Sequence, residues 1–353
     1  MKYKRIMLFT DCKIVKGFKR SAIYDLGRNE FKFIPNSLAD ILVEFNRKTI
    51  QELLSAFSEE DQKIIKEYLD FFIENEYLQF CDSDELELFP ELDLAYLNSG
   101  EINNAVISLS PITIKKLDET VAQLIDLGCK YLEVRNNYPM SISELSDCFN
   151  VFNNSPIKSI NLITIYNTDY NIASIENFIE KNKRVVSTIV YNSTFNTFLE
   201  MKSIKFTKKG LNHLLLQKPS PKSFNINIRL YCESLNYNNY YNNKICIDEF
   251  GNCKNSIDNE KSFGNINDIS LTDVLNVDNF KALWYIKKDD VQTCKDCEFR
   301  YMCVDTREPS RLNKNEWSFK SECNYNPYIG KWINEQDYIS VKEFKEMNFV
   351  ATN

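Results

Sequence analysis

The sequence has little histidine, little glycine and no long apolar run. His213 is the only histidine among 353 residues, and no neighbouring residue stands out as a nucleophile that it would activate. Eight glycines and the absence of a Gly-x4-Gly-Lys-Ser/Thr loop argue against a phosphate-binding enzyme. No apolar run reaches the roughly 18 residues that a membrane span requires, so we expect a protein that does not cross a membrane.

Basic residues are also too few for a typical nucleic-acid-binding protein. Lys and Arg number 43 against 50 Asp and Glu, which gives a net charge of −7, whereas phosphate recognition needs clustered cations. The chain opens without the apolar segment of a secretory signal, so we expect a cytoplasmic protein whose 11 cysteines stay reduced. A length of 353 residues predicts two or three domains.

Four cysteines near the end of the chain form the strongest motif. Cys294, Cys297, Cys303 and Cys323 read Cys-x2-Cys-x5-Cys-x19-Cys, and crowded thiols in a reducing compartment favour a shared metal centre over disulfides. Four thiolates suit either zinc or one [4Fe-4S] cluster. The alternative is a set of unligated core cysteines. The remaining Cys12, Cys81, Cys129 and Cys148 show no mutual spacing, so we interpret them as ordinary thiols.

The first 81 residues predict a small winged-helix-like module. Strand alternation on either side of Gly27-Arg28-Asn29 predicts a hairpin over residues 20–35. Helices are predicted to begin at Ser37, at Thr49 with Glu52 as a capping box, and near Asp61. The third helix places six apolar residues on one predicted face: Ile64, Ile65, Tyr68, Leu69, Phe72 and Ile73.

The middle of the chain predicts an α/β domain after an acidic linker at residues 82–101. From Asn104, strand and helix patterns alternate, which predicts a parallel sheet that is either curled as a partial barrel or left open, over residues 102–230. Its last predicted strand is Asn225 to Leu230. The Asn- and Tyr-rich run from Asn236 to Lys244 is interpreted as a solvated loop.

The segment LDETVAQLIDLGCKYLEVRNNYPMSISEL resembles radical S-adenosylmethionine (SAM) enzymes, in which a Gly-Gly-Glu-Pro turn follows the strand. Here that turn is Asn136-Asn137-Tyr138-Pro139. The Cys-x3-Cys-x2-Cys motif, which in that family holds the SAM cluster, is missing from AVISLSPITIKK. The resemblance therefore implies a degenerate barrel without SAM. The alternative is an unrelated α/β domain whose register matches by chance.

The C-terminal residues 231–353 resemble the cysteine-rich SPASM extension of that family. Phe250-Gly251-Asn252-Cys253, then Phe263-Gly264-Asn265-Ile266, then the four-cysteine run keep the family's order. This resemblance implies a [4Fe-4S] cluster at Cys294, Cys297, Cys303 and Cys323, with zinc as the competitor. Arg307 stands where a further cysteine is expected. A second site is therefore in doubt, and its candidate ligands are Cys232, Cys246 and Cys253.

Over its whole length the chain resembles the SPASM-domain peptide maturases of grasp-with-spasm systems. Its first 81 residues resemble PqqD-like domains, which bind the leader of a precursor peptide as an added strand. The resemblance implies two partners, a precursor peptide and an ATP-grasp ligase, and it assigns no catalytic residue to this chain. Two alternatives stay open: an enzyme that uses the cluster for redox or peptide-modifying chemistry without SAM, and a zinc-stabilised interaction protein.

Overall fold

The computed structural model describes residues 4–215, 218–314 and 316–350. The chain divides into two compact units, and each is built from separate stretches of sequence. The first unit comprises Met1–Tyr96, Lys218–Asn239 and Ile286–Asn353, and the second comprises Leu97–Gln217 and Tyr240–Tyr285. The predicted boundary between residues 230 and 231 therefore falls inside a stretch of the first unit. Among the described helices, none is long and apolar enough to cross a membrane.

The N-terminal part of the first unit contains the predicted hairpin and three helices. Its elements are β1 (Arg5–Leu8), β2 (Cys12–Lys16), β3 (Ser21–Asp25), β4 (Glu30–Ile34), α1 (Asn36–Phe45), α2 (Ile50–Ser55), α3 (Glu59–Glu74) and β5 (Leu78–Cys81). Strands β2, β3 and β4 form one antiparallel sheet in that order, and β1 pairs antiparallel with β5. The capping box at Thr49 is confirmed, because Thr49 and Glu52 exchange side-chain and backbone hydrogen bonds.

Helix α3 buries fewer apolar residues than the sequence predicted. Ile65, Leu69 and Phe72 are buried in the core of the N-terminal part. Ile64 and Tyr68, which were predicted to share that face, are 49% and 36% exposed. The apolar arc of α3 is therefore wider than the face that the core covers.

The second unit is organised around an eight-stranded sheet. Its strands are β6 (Asn104–Leu109), β7 (Tyr131–Asn136), β8 (Ser159–Ile165), β9 (Val185–Tyr191), β10 (Thr197–Leu199), β11 (Ile204–Phe206), β12 (Lys244–Ile247) and β13 (Cys253–Lys254). The order is β10-β11-β9-β8-β7-β6-β12-β13, and only the pairings that involve β10 and β13 are antiparallel. The predicted parallel sheet is confirmed. Within the described residues it is an open sheet with β10 and β13 at its edges.

Helices alternate with these strands, and those that begin at Leu117, Ile142 and Ile172 were predicted. They are α4 (Pro111–Lys115), α5 (Leu117–Asp126), α6 (Ile142–Phe149), α7 (Ile172–Lys181) and α8 (Leu211–Leu215). Helix α5 ends at Gly128, which has a φ of +89° and where a Cβ atom would stand 2.7 Å from the Cα atom of Gly100. Both the positive φ and this close approach require glycine.

Two predictions about residues 225–244 are wrong. Asn225 to Leu230 is not a strand, because the Asn227 side chain accepts a hydrogen bond from the Leu230 N–H and caps helix α9 (Ile228–Asn236). The Asn- and Tyr-rich run is not a solvated loop either. Tyr241 is fully buried in the core of the second unit, and Asn242 is 4% exposed.

The remaining elements are short. Helix α10 (Leu271–Asn276) belongs to the second unit, while β14 (Pro309–Arg311), β15 (Trp317–Phe319), β16 (Tyr325–Asn326), β17 (Lys331–Trp332) and α11 (Val341–Val350) belong to the first. Strands β14 and β15 form one antiparallel pair, and β16 and β17 form another. The four-cysteine run lies in the first unit, between α10 and β16 in sequence.

Candidate metal centre and peptide groove

The four cysteines of the C-terminal run lie together in the first unit. The thiols of Cys294 and Cys323 are close enough to interact electrostatically, as are those of Cys297 with Cys294 and Cys303, and of Cys303 with Cys323. All four are free and half-buried. Burial raises the pKa of Cys294 to about 11 and also raises the pKa values of Cys297 and Cys303. A bound metal would therefore have to displace protons from these thiols.

The cysteines are neighbours without forming a closed coordination shell. Among residues 4–215, 218–314 and 316–350, no group of three or more His, Cys, Asp or Glu side chains is positioned to hold a metal ion. The backbone before Cys294 is strained, because Thr293, a β-branched residue, has a φ of 71°. The N–H of Phe299 donates to Cys297 Sγ over 3.4 Å, as backbone amides do at thiolate ligands.

A buried cation beside the cysteines supplies a test of whether a thiolate centre fits. Lys288 is 5% exposed, and its Nζ lies 3.1 Å from Asp305 Oδ2. Despite that ion-pair distance, its Nζ finds no acceptor in hydrogen-bonding geometry within the described part of the chain. The thiols of Cys294 and Cys303 are its electrostatic neighbours. Metal-bound thiolates at these positions would supply hydrogen-bond acceptors for this ammonium in addition to the charge of Asp305, so the chemistry of the surroundings suits a thiolate centre.

Arg307 occupies the position where the family resemblance expected a cysteine, and it acts as a clamp. Its Nε and Nη2 donate to the two oxygens of Asp305 over 2.9 and 2.6 Å, and its Nη1 donates to the carbonyl of Ser321. Burial alone would raise the pKa of Asp305, but Lys288 and Arg307 outweigh it and lower the pKa to about 2. Arg307 therefore ties the segment after Cys303 to the loop that carries Cys323.

Replacing Arg307 by glutamine is expected to weaken metal binding about 10- to 100-fold, the usual cost of losing a group that orients a ligand. Glutamine keeps much of the length but cannot bridge Asp305 and Ser321 with a charged fork. Competition with a chelator, followed by metal analysis, measures the change. Arg311→Gln on β14 is the control, because Arg311 donates to the carbonyl of Lys314 rather than to the cysteine segment. Equal metal retention in the two variants would contradict the clamp.

The cysteine run is anchored on the N-terminal sheet, which the sequence did not predict. The N–H of Phe18 donates to the carbonyl of Asp296 over 2.7 Å, and the hydroxyl of Tyr24 donates to the carbonyl of Glu298 over 2.5 Å. Arg20 forms an ion pair with buried Glu298 over 2.8 Å. The N-terminal strands therefore belong to the scaffold of the cysteine site.

A cavity of about 410 Å³ borders one side of the cysteine cluster. Cys294 and Cys323 line it together with Arg307, and Lys342 and Lys345 of α11 form part of its wall. Cys297 and Cys303 are not among its lining residues; both pack against an aromatic core instead. Cys323 also packs against that core, so two of the four cysteines border the cavity and three contact the core.

The candidate ligands of the second site are divided between the two units. Cys232 lies on α9 in the first unit, where its Sγ contacts the carbonyl of Asp93 over 4.0 Å. Cys246 and Cys253 lie in the second unit on opposite faces of the sheet, because Cys253 pairs with Ile247, which faces the core, while Cys246 does not. The second site therefore remains a prediction.

The other thiols and the histidine form no constellation with neighbouring catalytic groups. Cys12, Cys81 and Cys129 are buried and Cys148 is half-buried. The side chain of His213 on α8 is exposed. Nothing in this arrangement assigns catalysis to these residues.

A second candidate site is a groove between strand β4 and helix α3. Strand β4 pairs with β3 on one side, and within the described residues no strand pairs with its other side. Lys32 of β4 donates to Asn75 at the end of α3, and its Nζ lies 5.5 Å from the centre of the Phe71 ring. The C-terminal end of helix α3 therefore lies near β4. We call the free edge of β4 together with α3 the β4–α3 groove.

Three exposed apolar side chains line the helical wall of the β4–α3 groove. Ile64, Tyr68 and Phe71 are 49%, 36% and 38% exposed, and their spacing of four and three residues places them in one stripe. The sequence carried part of the signal for this stripe, because Ile64 and Tyr68 were among the six apolar residues predicted on one face of α3. Only Ile65, Leu69 and Phe72 of those six are buried. An exposed strand edge beside an apolar stripe is a surface that an extended peptide can cover.

Comparisons with known proteins give no family assignment. No protein-family model matches the chain, and no curated protein matches it. Among solved structures it is similar to crystal structures of Streptococcus suis SuiB. The structure bound to S-adenosylmethionine has a TM-score of 0.33 at 11% identity and covers 85% of this chain and 94% of that chain. The structure bound to precursor peptide SuiA has a TM-score of 0.32, also at 11% identity, with the same coverage.

A third SuiB crystal structure has a TM-score of 0.30 at 10% identity and covers 84% of this chain and 94% of that chain. TM-scores between 0.30 and 0.33 are too low to establish a shared fold. The function of this protein is therefore inferred from its own residues.

The carboxyl ends of the parallel strands carry a network of side-chain hydrogen bonds. Asn136 at the end of β7 donates from Nδ2 to Thr164 Oγ1 over 3.0 Å, and both residues are fully buried. The hydroxyl of Tyr191 at the end of β9 donates to Asn137 Oδ1 over 3.0 Å. Open α/β sheets usually bind ligands at this end, and here the polar groups of neighbouring strands bind one another.

Proposed function

We propose that this protein binds a precursor peptide in extended form along β4 and serves in the maturation of a ribosomally made peptide. The observation that carries the proposal is the free edge of β4 beside the exposed stripe of Ile64, Tyr68 and Phe71. Main-chain hydrogen bonds to the edge would supply affinity, and the stripe would select apolar side chains. The family resemblance adds an ATP-grasp ligase as the enzyme that acts on the bound peptide, in the reducing cytoplasm.

The dimensions of the groove suit an extended peptide. Alternate residues of a strand are about 6.6 to 6.8 Å apart along the chain and point to the same side. Ile64 and Tyr68 are four residues apart on a helix, a rise of about 6 Å. Two same-side residues of an added strand would therefore each meet one or two members of the stripe.

At the four-cysteine site we propose a single [4Fe-4S] cluster held by Cys294, Cys297, Cys303 and Cys323, with zinc as the competing occupant. Support comes from the grouped thiols, the amide directed at Cys297 Sγ and the buried Lys288 ammonium. When bound, such a cluster would cross-link the segment 294–303 to the loop around Cys323 and offer a one-electron redox centre. The protein's residues would bind it, shield two of its ligands and compensate its charge.

We further propose that the protein does not use SAM. The sequence from Ala105 to Lys116 contains no cysteine, so the three thiolates that the resemblance would require after β6 are absent there. The asparagines that replace the glycines of the family turn are engaged with Thr164 and Tyr191. These contacts support a sheet end that serves packing rather than cofactor binding.

One preparation tests these proposals. The protein is purified anaerobically from the cells that produce it, and iron, sulfide, zinc and co-purified chains are measured. We expect about four irons and four sulfides per chain, a bound precursor and an ATP-grasp ligase. Zinc alone would replace the cluster proposal. Production of 5′-deoxyadenosine from SAM by the reduced protein would overturn the claim that SAM is not used.

The cavity beside Cys294 and Cys323 favours one second candidate function. A cluster reached through 410 Å³ of open space is accessible to a substrate, which suits an enzyme that modifies the peptide by redox chemistry without SAM. A change in precursor mass with this protein alone would favour that function. A mass change that appears only when the ligase and ATP are added favours the accessory role.

A further inference from the structure

Helix α3 carries a row of acidic side chains beside its apolar stripe. Glu60, Glu67 and Glu74 are exposed. Residues that are seven positions apart on a helix lie two turns apart at almost the same angle around its axis, so these three side chains form a row. The row runs along the outer side of the stripe of Ile64, Tyr68 and Phe71, away from the buried face of α3. Around helix α3, the buried face is therefore followed by the apolar stripe and then by the acidic row, which forms the outer rim of the β4–α3 groove.

These carboxylates are not neutralised by the protein itself. Within residues 4–215, 218–314 and 316–350, none of Glu60, Glu67 and Glu74 takes part in an ion pair. Lys63 stands three and four residues from two of them without pairing with either, and Lys32 on β4 is engaged with Asn75. The outer rim thus keeps its negative charge available to whatever occupies the groove.

We propose that the peptide bound in the β4–α3 groove is basic, with Lys or Arg side chains that reach Glu60, Glu67 and Glu74 and apolar side chains that cover Ile64, Tyr68 and Phe71. This inference rests on the proposed peptide binding and adds the chemistry of the peptide. An extended chain presents alternate residues to the helix, and long basic side chains bridge the stripe while their stems cover apolar surface. Charge complementarity of this kind sets partner choice and association rate more than total affinity.

The test is a selection from a random twelve-residue peptide display library against the full chain. Selected peptides are expected to contain Lys and Arg in clear excess over Asp and Glu, together with apolar residues two positions apart. Binding of a selected peptide is then measured by fluorescence anisotropy. Affinity is expected to fall as salt is raised, because exposed ion pairs are screened.

The triple variant E60Q/E67Q/E74Q removes the acidic row with isosteric residues that favour a helix. We expect it to bind a selected peptide about tenfold more weakly at low salt, and to lose most of the salt dependence. The matched control is D118N/D126N/D147N, which makes the same change in net charge on exposed positions of the second unit. Circular dichroism checks that both variants remain folded.

The outcomes separate this inference from the proposed function. Selected peptides without a basic excess, or equal binding by the triple variant and its control, would overturn the inference and leave peptide binding in the groove intact. Selected peptides whose binding is unaffected by changes in the apolar stripe would overturn the groove as the peptide site, and the inference with it. A basic excess that is lost only in E60Q/E67Q/E74Q supports both.

Discussion

Replacing Cys297 by serine is expected to abolish iron binding at the four-cysteine site. Cys297 accepts the Phe299 N–H at its Sγ and packs beside the aromatic core, so it is the ligand most firmly held by protein. Losing a group that merely orients a ligand costs about 10- to 100-fold in metal affinity, so losing the ligand itself is expected to cost more than about 100-fold. Iron content and the visible absorbance of the anaerobic protein measure the effect.

The control for this variant is Cys148→Ser. Cys148 is also free and half-buried, but it lies on α6 in the second unit and is not one of the proposed ligands. It should retain all of its iron. If Cys297→Ser kept its cluster, or if both variants lost iron equally, the four cysteines would not form the centre.

Local features of the fold were predictable because they depend on neighbours in sequence. The turn at Gly27-Arg28-Asn29 placed the β3–β4 hairpin, and Thr49 with Glu52 placed the start of α2. The alternation after Asn104 gave the parallel strands of the second unit. Each of these patterns spans only a few consecutive residues, so the local structure that it favours does not depend on the rest of the chain.

The errors arose where distant residues decide the structure. Asn225 to Leu230 alternates like a strand, but Asn227 caps helix α9. The buried Tyr231 of this helix packs in a core of the first unit that distant segments of the chain form. The run around Tyr241 is polar in composition, yet it precedes β12, which pairs with β6 more than a hundred residues earlier. The sequence around Tyr241 indicates neither the burial of this residue nor the pairing of β12 with β6.

The same distinction applies to the candidate site, part of which depends on local sequence and part on distant residues. Cysteine spacing predicted which thiols would be neighbours, but it contained no information about Lys288 or about the N-terminal sheet below the run. The rings of Phe31 and Phe33 on β4 each lie 5.7 Å from Phe299, which is two residues from Cys297. The strand that would receive the peptide and the proposed cluster therefore share one aromatic core.

Replacing Phe71 by aspartate is expected to weaken peptide binding about 30-fold, the effect of losing one central interface residue worth about 2 kcal/mol. Phe71 closes the stripe next to Lys32, where the groove meets the strand edge. Aspartate removes the ring and adds a charge that a bound apolar side chain would have to desolvate. Fluorescence anisotropy with the labelled precursor leader measures the dissociation constant.

Val43→Asp is the matched control for Phe71→Asp, because Val43 is 59% exposed on α1 and belongs to the same unit. Both variants place an aspartate on an exposed helical position, so a general loss of stability would affect both, and thermal unfolding reports it separately. Equal binding by the two variants would place the peptide elsewhere. Selective loss in Phe71→Asp, with iron content unchanged, would show that peptide recognition resides in the groove and does not depend on an altered cluster.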